Sequence, residues 1–230
     1  MQMRWTWKAI SCASLALVLC AGCSIPPQAA FRHEAGPVET SADFAGCRQF
    51  EANLRNAELT IEGWDQPTVK VTARVWAKAY LPNSAKLLAE TAEVKLERAG
   101  DRVTLVCRPT RPMWGNEQVR ASLLVYLPTD ASVNVESQHG SVAATAIRGE
   151  VCAESRFGNI ALNQPEGAVR CKTQYGDIRI SEAQTGQLNC STVYGQIKVA
   201  IAPGCWQGDK INLKTCYGKI DLKMETAGEP

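Results

Sequence analysis

The residues able to do covalent or metal chemistry are few and poorly placed for it. Only two of 230 residues are histidine, His33 and His139, so a His-rich metal site lacks donors. Beyond residue 23 no two cysteines have the Cys-x-x-Cys spacing of zinc and redox motifs. The chain carries no Gly-x-Ser-x-Gly elbow, no Walker-type phosphate loop and no His-Glu-x-x-His. Glu154 and Asp177 read as outward carboxylates with no acid at the matching position of neighbouring repeats, which argues against a clustered calcium or acid–base site. The sequence therefore predicts no catalytic residue, no metal and no cofactor. Net charge is +2, and both excess charges, Arg4 and Lys8, lie in the first 22 residues. A neutral remainder is not the profile of a basic nucleic-acid binder, so no nucleic-acid partner is expected.

One cysteine does suggest chemistry. Arg4 and Lys8 precede a run without charge from Ala9 to Gly22, ending Cys20-Ala21-Gly22-Cys23-Ser24. That run is short for a membrane span and fits the apolar region of an export signal. Small residues just before a Cys resemble the lipobox of bacterial lipoproteins. The resemblance implies a signal peptide over 1–22, lipidation at Cys23 and membrane attachment through that lipid. Ser24 implies forwarding to the outer membrane. Residues 23–46, with Pro26, Pro27 and Pro37 and no apolar period, read as a flexible tether.

The elements that would hang from this tether show themselves as a repeat. Five segments align without gaps: 133–144, 151–162, 169–180, 188–199 and 211–222. Their glycines, Gly140, Gly158, Gly176, Gly195 and Gly218, are 18, 18, 19 and 23 residues apart. Before each glycine, apolar residues, then Ser137, Ser155, Thr173, Thr192 or Thr215, then His139, Phe157, Tyr175, Tyr194 or Tyr217 recur at spacing two. That is one face of a β-strand. After it comes a second short apolar strand, then a turn at Gly149, Gly167 or Gly186. No single unit can bury its apolar columns, whereas stacking units in register buries them all. The expected fold is all-β: a parallel β-solenoid, or β-helix, of about five 18–23-residue rungs over 131–223, with a tail at 224–230. In such a stack each Ser or Thr hydroxyl can donate to a neighbour one rung away, and the aromatics stack at the corner.

Residues 47–130 keep strand alternation without the strict repeat and read as an irregular β-rich cap covering one edge of the stack. Strands are expected at 58–64 and 68–76, a short helix from Ala85 to about Thr91 capped by Ser84, and a hairpin of 92–98 with 102–108. The last strand, 119–128, feeds the repeats. Seven cysteines remain after Cys23, an odd number. Cys171 and Cys190 share an inward column and read as small buried hydrophobes or as a bridge. Cys205 and Cys216 could staple the insertion before the last repeat. Outward residues Arg170, Lys172, Gln174, Asn189, Ser191, Asn212 and Lys214 lie side by side on successive strands. They form a polar face suited to solvent or to an extended ligand.

The aromatic-Gly units, the strand before them (123–137) and the opening ELTIEGWDQPTVKV resemble the bacterial "putative adhesin" β-strand-repeat family, related to head-GIN and autotransporter-adhesin-like domains. The resemblance covers about residues 50–223. It implies no catalytic residues; the signal with Cys23, the tether and a stack without chemistry point to a non-catalytic envelope protein that binds or scaffolds through its repeats, with a glycan or surface protein as ligand and the outer membrane or cell surface as its location. The alternatives are a periplasmic partner of an envelope signalling system and a carbohydrate-active enzyme on a β-helix.

Overall fold

The computed structural model describes residues 30–109, 113, 115–184, 186–202, 206 and 210–224. The signal segment, Cys23, Cys205 and the tail after Met224 lie outside the described residues. Among those described, the chain is all-β with one helix. The strands are β1 (Phe31–Glu34), β2 (Val38–Asp43), β3 (Gln49–Trp64) and β4 (Thr68–Ala79). Helix α1 (Pro82–Glu90) precedes β5 (Glu93–Ala99), β6 (Arg102–Arg108) and β7 (Gln118–Pro128). The repeats supply β8 (Ser132–His139), β9 (Val142–Thr145), β10 (Val151–Phe157), β11 (Ile160–Asn163) and β12 (Val169–Tyr175). They continue through β13 (Ile178–Ala183), β14 (Leu188–Tyr194), β15 (Ile197–Ile201), β16 (Ile211–Tyr217) and β17 (Ile220–Met224).

The repeat register is the one the glycine alignment predicts. β8, β10, β12, β14 and β16 pair parallel in that order, with Val133, Val151, Val169, Leu188 and Ile211 side by side. β9, β11, β13, β15 and β17 form a second parallel run, with Val142, Ile160, Ile178, Ile197 and Ile220 aligned. Alternation then puts the apolar columns of both sheets into one continuous core. Ala153, Ile160, Ile178, Cys190 and Ile197 are fully buried. Each large aliphatic side chain so buried contributes on the order of 1.5–3 kcal/mol.

The first half is more regular than its sequence suggests. β3 is one strand of 16 residues that serves both sheets. Its first half pairs parallel with β8, Phe50 beside Val133 and Ala52 beside Val135. Its second half pairs parallel with β9, Leu59 beside Val142 and Ile61 beside Ala144. On its other side lie β6 and β7, also parallel. β3 is thus a further unit of the same stack, and the chain interleaves it between β6–β7 and β8–β9. Beyond these, β5 and β4 run antiparallel to β6 and β7.

Three local expectations are corrected. Residues 31–43 are not tether: β1 and β2 pair antiparallel with β4. Backbone pairing to an open sheet edge makes them strands, so no apolar period announces them. The helix starts at Pro82 rather than Ala85, and Ser84 does not cap it. Leu81 occupies the N-cap without a side-chain bond, and Pro82 takes the first turn, where its missing N–H costs nothing. Leu88 is buried, and Leu87 on the helix's outer side is 51% exposed.

Candidate binding face

The corners that set the repeat's geometry are built from backbone. Gly158, Gly176, Gly195 and Gly218 each lie directly over the carbonyl oxygen of the glycine one unit earlier. Gly140 lies over the carbonyl of Ala57 in β3. Any Cβ at these positions would overlap that oxygen, so glycine is required by close approach. The same carbonyl explains the hydroxyl column. Thr173 Oγ1 donates to Gly158 O at 3.1 Å, Thr192 Oγ1 to Gly176 O at 3.1 Å and Thr215 Oγ1 to Gly195 O at 3.2 Å. From Ser155 onward the hydroxyls therefore reach one unit back, but to a backbone carbonyl rather than to each other, whereas Ser137 donates to Gly140 O of its own unit. β3 bears Leu54 in this column. It has no corner glycine beneath it to satisfy, because residues 109–117 separate β6 from β7.

Outside each glycine the aromatics form a ladder. His139, Phe157, Tyr175, Tyr194 and Tyr217 stack with centroids 4.8–5.1 Å apart and planes within 7°. They stand at the rim, half-exposed, rather than in the core. After Gly158 and Gly176 a polar side chain ties the next unit. Asn159 Oδ1 accepts the Asp177 N–H at 2.8 Å, and Asp177 Oδ1 accepts the Gln196 N–H at 2.9 Å. Asp177 is thus a structural carboxylate, also 3.7 Å from Arg179 Nη2.

The outward face of the first sheet holds a groove of about 870 Å³ crossing β3, β8, β10, β12, β14 and β16. Its central column, in register, is Asn53, Glu136, Glu154, Lys172, Ser191 and Lys214. Lys172, Gln174, Ser191 and Lys214 line it, and Arg170, Asn189 and Asn212 form the adjoining column. The seven predicted face residues therefore fall on one continuous surface. One expectation fails here: Glu154 does have an acid at the matching position, because Glu136 is its partner on β8. Comparing 133–144 with 151–162 column by column would have found it.

Charge divides the groove. Around β8 and β10 the carboxylates are partly engaged: Asn53 Nδ2 donates to Glu136 at 3.5 Å, and Lys172 Nζ lies 3.7 Å from Glu154. From β12 to β16 the three outward columns contain Arg170, Lys172 and Lys214 with amides, Ser191, Val193 and Cys216, and no acid. Arg170 lies 3.7 Å from Glu150 at the edge. These exposed ion pairs contribute little stability, so their charges remain available to a ligand. Sequence reasoning missed Arg55 and Arg156, which line the groove's other margin. Arg55 lies on β3, whose membership of the stack no glycine marks.

The cysteines are thiols among the described residues. Cys171 and Cys190 are stacked neighbours in the buried column. Their mutual hydrogen bond and burial push the Cys171 thiol well above its ordinary range. Burial raises Cys152 as well, with Glu154 and Glu150 adding to it. The proposed Cys205–Cys216 staple involves a residue outside those described. No group of three or more His, Cys, Asp and Glu gathers among the described residues, and none of their helices is long and apolar enough to cross a membrane.

No family model and no curated protein sequence matches the chain. Among solved structures it is similar to a "putative cell adhesion protein" from Clostridium sporogenes, with a TM-score of 0.52 at 14% identity, covering 83% of this chain and 100% of that one. A "putative adhesin" from Bacteroides fragilis aligns at a TM-score of 0.43 and 10% identity, over 83% of this chain and 97% of that one. The Clostridium likeness bears on the fold alone.

Proposed function

We propose that the chain is an adhesin-like, lipid-anchored envelope protein, non-catalytic, whose stack is a parallel β-solenoid extended by β3 and by β6–β7. The groove on the first sheet is its binding face. The observation that carries this reading is the acid-free stretch from β12 to β16, where Arg170, Lys172 and Lys214 stand among Gln174, Asn189, Ser191 and Asn212 on a concave surface. Such a surface suits an extended ligand with carboxylate or sulfate groups, met by point charges and amide donors. The fold likeness to a protein described as a cell adhesion protein supports the same class. Cys23, with its lipobox-like surroundings, would hold the stack at the membrane.

The test is binding of the purified protein to immobilised acidic polysaccharides and surface glycoproteins. Lys172→Glu with Lys214→Glu should abolish binding to whichever probe the wild type retains. Arg179→Glu, on the other sheet, should leave that binding intact. Equal binding by all three proteins, or none by the wild type, would contradict the assignment. A second reading rests on Glu136, Glu154 and Lys172 lining one groove, which is where a polysaccharide-cleaving enzyme would place acid and base. Cleavage products that disappear in Glu154→Gln would favour that enzyme over the binding module.

A further inference from the structure

The two ends of the stack differ. At one end β4 and β5 run antiparallel to their neighbours, β1 and β2 add to β4, and α1 packs across β4 and β1. At the other, β16 pairs with β14 alone and β17 with β15 alone, among the described residues. The free edges there present backbone donors and acceptors. The core columns also surface here. Ile220 and Leu222 are 41% and 42% exposed, whereas Ile197 and Val199 in the preceding unit are 0% and 2% exposed. Tyr217 stacks on Tyr194 by one face and is 67% exposed.

We propose that this end pairs with the same end of a second copy. The twofold axis runs through the Tyr217–Gly218 corner, and β16 of each copy lies antiparallel to β17 of the other. Alternation restricts the register. Inward positions are odd-numbered in β16 and even-numbered in β17, so only odd-to-even pairing keeps the core columns together. With the corners superposed, Leu213 meets Leu222 of the partner subunit, Ile211 meets Met224 of the partner subunit, and Lys214 faces Asp221 of the partner subunit. A slip by two residues sets Lys214 against Lys223 of the partner subunit. The opposite slip sets it against Lys219 of the partner subunit. Charge thus selects one register from three. The twofold makes each contact twice, covers the open edges and closes the assembly, because the far end of each copy is already covered by antiparallel strands and α1. It also brings the free faces of the two Tyr217 rings together.

Light scattering of the purified full chain across a concentration range tests this, with far-UV circular dichroism to confirm that each variant is folded. The wild type should be a dimer. Lys214→Asp and Asp221→Lys each place like charges opposite one another, and each should weaken dimerisation at least about tenfold. The double variant Lys214→Asp/Asp221→Lys should restore it. A wild type that is monomeric throughout, an open-ended polymer, or a dimer that neither single reversal weakens would overturn the proposal.

Discussion

At the scale of single residues, the fold rests on the contact between a glycine and the carbonyl beneath it. Thr173→Val leaves the Gly158 carbonyl without its hydroxyl donor and should cost about 1–2 kcal/mol. Gly176→Val drives a branched side chain into the same carbonyl and should cost roughly 3 kcal/mol or more. Urea denaturation of the two variants compares them directly, and equal losses would refute the stacking register. The columns were legible because close approach permits one residue type only. What the sequence hid was the acceptor: a serine or threonine every unit announces a hydroxyl ladder, but not that its partner is backbone. Cys107 offers a second check. Burial pushes its thiol from the ordinary 9.0 up to about 11. The unfolded chain therefore loses this proton first as pH rises. The associated stability is intact below about pH 9 and is lost as pH climbs through about 11. The unfolding free energy from urea titrations should fall over that window by about 3 kcal/mol at most, and Cys107→Val should flatten the fall.

At the scale of elements, the turns after the second strands carry strain that their composition does not advertise. Ala146, Gln164 and Glu182 occupy equivalent corners with φ of 56°, 54° and 54°. This left-handed conformation is disfavoured for all three side chains. In β3 the equivalent position is Gly63, one residue beyond the Glu62–Thr145 pair. Gln164 offsets part of its strain by donating from Nε2 to Glu182 Oε2 at 2.7 Å. Ala146 has no such side-chain bond to lose. Ala146→Gly should therefore raise the unfolding free energy measured in urea by about 0.5–1 kcal/mol, where alanine-to-glycine changes in strands ordinarily lower it. A fall would mean the corner is not strained. The same elements show where pattern reading runs out. β3 escaped because its corner, Asn56-Ala57, needs neither glycine nor threonine. β1 and β2 escaped because they are held by backbone bonds to β4, with polar side chains facing water.

At the scale of the molecule, the repeat made the parallel stack and its polar face readable, because units that touch only their neighbours must match them column by column. Chain order did not reveal that β3 lies between β6–β7 and β8–β9, since interleaving leaves no local trace. Nor could it show that one face is concave, which depends on how six strands curve together. In the proposed function that face is joined to the export signal and the lipidation expected at Cys23. An adhesin-like role for the groove requires its display at the cell surface, which is tested most directly by treating intact cells with protease and probing for this protein beside a soluble periplasmic control. The account predicts that the protein is digested while the control survives. Protection of both until the outer envelope is opened would contradict surface display and return the groove to a periplasmic partner.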